Sequence, residues 1–360
     1  TTTSAAAAAA VLCEDANRTL RALRAHTCGP GERVFRGAGV NFFDALWISS
    51  PAFPAAQRTS FGPAEVDAAL RALAATGVRY LRFFAALFGA DHVLWATRPE
   101  VFWGAFDRLL DSVEAHRLYA IPSVACDWEL AATALGQNET ANDLVLNRSS
   151  LAQTLARRFL HEVTARYAHR SSVLFWEVGN ELNLKASQPP PRCGHERCFD
   201  TVALSAFGRE LVAIIRANDA RRPISSGYGA PRPSAWHLEH CLRRPLPASV
   251  TPSMCAYNGG VGWIDTPSQF AQMLLLLHEP FEMVSMHVYP PHPRAMAHPE
   301  RCPFGMSEGC AANGTLSLEL AEAAAASAGK LLFVGEFGGP PPNFTGPGAA
   351  EQAYPEAVLR

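Results

Sequence analysis

Two glutamates stand where chemistry asks for them and packing does not. The apolar run 173–184, VLFWEVGNELNL, carries Asn180 and Glu181, and the run 331–338, LLFVGEFG, carries Glu336. An unpaired charge closing a buried strand is costly, so burial alone explains neither carboxylate. Two carboxyl groups facing one mouth can divide the work of breaking a glycosidic bond. One protonates the leaving oxygen, and the other attacks or activates water.

Residues so distant in sequence share a mouth when each closes a strand of one parallel sheet. Strand-like and helix-like stretches alternate through the chain, which predicts β/α units with right-handed crossovers. Strands are expected at 35–41, 78–84, 119–124, 173–184, 224–228, 283–289 and 331–338. Helices are expected at 65–76, with Gly77 as its stop, and at 100–116, 151–168, 199–217, 267–278 and 316–328. The pattern predicts a (β/α)8 TIM barrel lacking its last βα unit, because only a Pro/Gly-rich stretch and a short tail follow Glu336. A C-terminally truncated fragment is therefore expected. Residues 1–30 read as an N-terminal extension, either the remnant of a secretory leader or a trimmed start, and 31–360 as a single catalytic domain. The segments 189–198 and 290–314 read as surface loops. In a parallel barrel the active site gathers at the C-terminal strand ends. Asn41, Arg82, Asp127, Asn180, Glu181, His287, Tyr289 and Glu336 all fall at such ends.

Composition narrows the class. A 360-residue chain with a net charge of −2 has no basic footprint for nucleic acid, and no apolar stretch long enough to span a membrane. Asn-x-Ser/Thr sequons begin at Asn17, Asn138, Asn147, Asn313 and Asn343, where about one is expected by chance. Cysteines fall in local pairs: Cys193 with Cys198, Cys302 with Cys310, and further candidates in Cys241 with Cys255 and Cys13 with Cys28. Cys126 is left as the unpaired thiol. Sequons and paired cysteines together predict a secreted glycoprotein with disulfides.

The residues that end these strands resemble those of clan-A glycoside hydrolases, and within the clan family 5, the cellulase and β-mannanase family. Asn180–Glu181 within WEVGNE matches that family's acid/base signature, and Glu336 within GEFG its nucleophile. Arg82, and His287 with Tyr289 in HVY, match its supporting residues. The resemblance runs from about Phe35 to Gly338 and implies a retaining mechanism. Glu181 is then general acid and base, and Glu336 forms the glycosyl-enzyme. Asn180 is implied to bond the sugar 2-hydroxyl, Arg82 to keep Glu336 ionised, Tyr289 to orient it, and His287 to line the leaving-group subsite.

Two departures accompany the match. Where family members often carry a His or Asn pair after the third strand, this chain has Cys126–Asp127–Trp128, with Asp127 in the polar position. The Trp that commonly ends the eighth strand has no counterpart, leaving Trp47, Trp128, Trp176 and Trp263 as candidate stacking platforms. Trp47 and Trp128 sit in βα loops and are the better placed; Trp176, mid-strand, reads as packing.

The resulting expectation is a monomeric enzyme without cofactor or metal, acting on a β-linked polysaccharide or oligosaccharide, with mannan and glucan foremost. Cys193, His195 and Cys198, and His287, His292 and His298, lack structural zinc spacing. Two other readings stand beside it: a non-catalytic carbohydrate-binding barrel, and an exo-acting β-glycosidase whose cleft is blocked by the 290–314 loop.

Overall fold

A computed structural model describes residues 11–14, 20–23, 33–35, 37–50, 62–86, 90–124, 127–188, 193–232, 234–240, 265–288 and 314–337. They belong to two compact units, one within 1–138, 151–178 and 211–224, the other within 139–150, 179–210 and 225–360.

In the first unit, β1 (Val11–Glu14), β2 (Leu20–Leu23) and β3 (Arg33–Val34) form an antiparallel sheet. The stretch read as an extension thus holds two strands, each too short to show a period in sequence. A five-stranded sheet follows in chain order: β4 (Gly39–Asn41), β5 (Tyr80–Phe84), β6 (Tyr119–Ser123), β7 (Trp176–Glu177) and β8 (Ile224–Ser225), the last reaching the unit boundary. β4, β5, β6 and β7 pair in parallel, with Asn41 opposite Arg82 and Ser123 opposite Glu177.

Helices occupy the crossovers. Pro63–Ala75 starts on Pro at its first turn and stops where Gly77 takes φ +89°, the left-handed conformation that ends helices. Pro99–Ala115 buries Phe102, Phe106, Leu109, Leu110 and Val113, a stripe at helical spacing. That face meets Leu151–Tyr167 through rings: Phe106 stacks on Tyr167 at 4.5 Å and Trp103 lies parallel to Phe159 at 5.9 Å. Truncating one such buried ring costs roughly 3–5 kcal/mol.

In the second unit, β9 (Met283–Val288) pairs in parallel with β10 (Leu331–Phe337). Val284, Met286 and Val288 pack against Phe270 and Leu274 of helix Pro267–Leu277 and Ala321, Ala324 and Ala325 of helix Gly314–Ser327. Alternation sends Ser285 and His287 to the opposite face, and both are buried too. A strand covered on both faces is what a parallel sheet requires.

The parallel strands lie within the ranges expected from sequence, with one instructive difference. The run 173–184 is regular only at Trp176–Glu177; Leu182–Lys185 is a 3-10 turn. Five helices absent from the sequence reading, Ala45–Ile48, Ala90–Thr97, Trp128–Ala134, Ala141–Leu146 and Ala235–His240, are short enough to pass as loops. Tyr289, Trp263, Cys126, the segment 290–313 and everything after Phe337 lie outside the described residues. No described helix is long and apolar enough to cross a membrane.

Candidate active site

Within the second unit, Glu181, His287 and Glu336 converge. His287 Nδ1 lies 2.9 Å from Glu181 Oε1 and 3.4 Å from Glu336 Oε1. The nitrogen and one oxygen of each carboxylate all lie within 4.8 Å of one another. The imidazole and Glu336 are almost wholly enclosed, whereas the Glu181 side chain is a third exposed. One carboxylate is therefore held in the wall and the other at its opening.

A bulge brings Glu336 to this face. Val334 pairs with Met286, but the next pair is Glu336 with His287, so Gly335 is an extra residue in β10. Leu332 and Val334 pack toward the helices, and strict alternation would send residue 336 the same way. The inserted residue reverses that parity and turns Glu336 toward His287. A side chain at 335 has no room: a Cβ there would fall 2.9 Å from His287 Nε2 and 3.3 Å from Phe333 Cε1.

Glu181 is placed by strained backbone. Its φ of +50° and ψ of +23° put a non-glycine residue in the left-handed region, a conformation that persists only where the surroundings fix it. Here Gly179 donates its N–H to Ser226 O at 3.2 Å and Glu181 donates to Gly227 O at 2.9 Å. Asn180, half-buried, sits between these two anchors.

Of the other residues read from sequence, Asn41, Trp47, Arg82, Asp127, Trp128 and Trp176 lie in the first unit. Arg82 is buried, and its Nε donates to Glu177 Oε1 at 2.6 Å while Nη1 reaches Asn41 Oδ1 at 3.2 Å. The Phe43 and Phe84 rings, stacked 4.8 Å apart, each lie 5.7 Å from the guanidinium. Glu177 was missed in the sequence. Its signal was a second Glu within the same apolar run, together with the need of a buried Arg for a carboxylate. Asp127 takes φ +42° at the N-terminus of helix Trp128–Ala134. Trp47, on helix Ala45–Ile48, is partly exposed.

Trp128 corrects the sequence reading. It is fully buried, 4.1 Å from the His92 ring and 5.2 Å from that of Phe159, so it offers no face to a sugar. The expected loop is the start of a helix, which turns the indole into the aromatic core. Trp176 is packing, as expected, with Nε1 donating to Asp219 at 2.9 Å.

Among the described residues, Glu181, His287 and Glu336 are also the one trio spaced to ligate a metal ion. A cation there would replace the contacts the imidazole already makes with both carboxylates. Cys193 and Cys198 form the expected disulfide, and the sequon residues Asn138 and Asn147 are exposed.

No family model and no curated protein sequence matches this chain. Solved structures do. A family 5 glycoside hydrolase mannosidase from Rhizomucor miehei matches at TM-score 0.60 and 13% identity, over 97% of this chain and 81% of its own. The endo-1,4-β-mannanase of the same organism matches at 0.57 and 15%, over 91% and 82%. An endo-1,4-β-D-mannanase from Thermotoga petrophila matches at 0.55 and 14%, over 90% and 85%. The chain shares their fold. The parallel β/α architecture is thus that of the (β/α)8 barrels, as the strand rhythm predicted.

Proposed function

We propose that the chain is a retaining glycoside hydrolase of clan A, family 5, which cleaves β-1,4-mannan or β-glucan by double displacement. The observation that carries this reading is that one oxygen of Glu181 and one of Glu336 lie within 4.8 Å of each other around His287. Retaining enzymes hold their carboxyl groups about 5 Å apart, whereas inverting enzymes need roughly 6.5–9.5 Å to admit a water.

The geometry supports a division of roles. Glu336, enclosed and fixed by the bulge, attacks the anomeric carbon and forms the glycosyl-enzyme. Glu181, at the opening, protonates the departing oxygen and then draws a proton from the incoming water. The His287 Nδ1–H group, within reach of both oxygens, orients them. Asn180 and Tyr289 supply sugar and nucleophile contacts in the manner the family resemblance implies. The work needs no cofactor or metal. The disulfide and exposed sequons support a secreted enzyme, and we assign it as a monomer.

The test is release of reducing ends from β-mannans, β-glucans and xylan by wild type, Glu181→Gln and Glu336→Gln. Release by wild type that falls about 10³-fold or more in both folded variants supports the reading. Full activity in either variant, or none in a folded wild type, overturns it.

A further inference from the structure

Glu181 sits against the backbone of Gly229. A Cβ at position 229 would fall 2.9 Å from Glu181 Oε1, the oxygen that meets His287, and 3.5 Å from its carboxyl carbon. Gly229 is itself held on both sides by one side chain. Asn183 Oδ1 accepts from the Gly229 N–H at 3.1 Å, and Asn183 Nδ2 donates to the Gly229 carbonyl at 2.8 Å. Asn183 is buried, so both bonds are shielded from water. With Gly179 bonded to Ser226 and Glu181 to Gly227, three residues of the 179–183 segment are tied to the 226–229 segment in succession.

We propose that Asn183 and Gly229 are positioning residues for the Glu181 carboxylate. The inference rests on the glycosidase reading for what Glu181 does, and on the contacts above for where it is put. Asn183 replaces a ladder: its amide reads both the N–H and the C=O of one peptide segment, as a neighbouring strand would. That fixes the distance from the left-handed Glu181 backbone to the wall its carboxylate rests on. Glycine at 229 removes the side chain that would occupy the resting place of Oε1. The clash created by a methyl group there falls on the outer end of the Glu181 side chain, which can swing away. Gly229→Ala is therefore expected to fold and to misplace one carboxylate. An error of about 1 Å in such a group costs on the order of 10²-fold in rate.

The signature is a dependence on leaving group. Breaking a bond to a poor leaving group needs a proton from Glu181, whereas a dinitrophenyl leaving group departs without one. Since kcat/KM reports glycosylation, Gly229→Ala and Asn183→Ala should each lower kcat/KM about 100-fold on manno- or gluco-oligosaccharides. On the matching dinitrophenyl glycoside the fall should stay under about 5-fold. An equal loss on both substrates overturns the proposal, because a loosened fold does not distinguish leaving groups. So does unchanged kcat/KM on the oligosaccharides. If wild type cleaves neither substrate, the glycosidase reading fails by itself and crystal structures decide this inference. Glu181 Oε1 displaced from His287 Nδ1 in Gly229→Ala supports it; an unmoved carboxylate overturns it.

Discussion

His287 stands opposite Glu336 on neighbouring parallel strands, 3.4 Å from its carboxylate, because Gly335 adds one residue to the ladder between them. The glycine is needed twice, for the parity of the strand and for the space its missing side chain leaves to the imidazole. Unlike the partly exposed Glu181 side chain, that ring is packed. Gly335→Ala is expected to cost roughly 1–3 kcal/mol through overpacking and to lower kcat about 100-fold. Thermal unfolding and kinetics on one preparation check both numbers.

Arg82 and Glu177 are buried together, at 1% and 0% side-chain exposure. Removing one partner leaves the other as an uncompensated charge. Arg82→Met should destabilise by roughly 3–5 kcal/mol, and adding Glu177→Gln should recover most of it. Urea unfolding of the single and double variants measures the coupling. Additive losses would show that the pair is not the source.

His278 caps helix Pro267–Leu277 in full burial, with Nδ1 bonded to Leu274 O at 2.8 Å. Burial lowers its pKa from 6.5 to about 4, against the opposing pull of the bond to Leu274 O. The folded state therefore resists a proton that the unfolded state accepts. Stability from this group is complete above pH 6.5 and is lost as pH falls toward 4, up to about 3 kcal/mol. His278→Asn should flatten that part of the stability profile, measured by denaturant titration at several pH values.

Trp128 packs against His92, Trp95 and Phe159. Trp128→Ala is expected to cost roughly 3–5 kcal/mol while leaving KM for soluble oligosaccharides within about 2-fold. A raised KM in a variant of unchanged stability would return the indole to the sugar site.

Glu181 and Glu336 were legible because an ionisable residue near the end of an apolar run lacks a packing explanation. The strand rhythm was legible because each unit repeats the same change of period. Glu177 left only an indirect sign, as the second glutamate of its apolar run, and its partner Arg82 lies 95 positions away. The bulge at Gly335 is a relation between two strands, and one strand read alone cannot show it. The left-handed turn at Glu181 had only indirect signs, in Gly179, Gly227 and Gly229. The burial of Trp128 is not legible, because the helix it opens is only seven residues long and too short to show a period.

The two compact units are threaded through each other in sequence: the chain passes from one to the other at 138, 150, 178, 210 and 224. A ribosome releasing this chain in order completes neither unit when residue 178 has emerged, since the first still awaits 211–224. No single cut in the interleaved stretch 139–224 frees either unit whole, so a protease nick there divides them both.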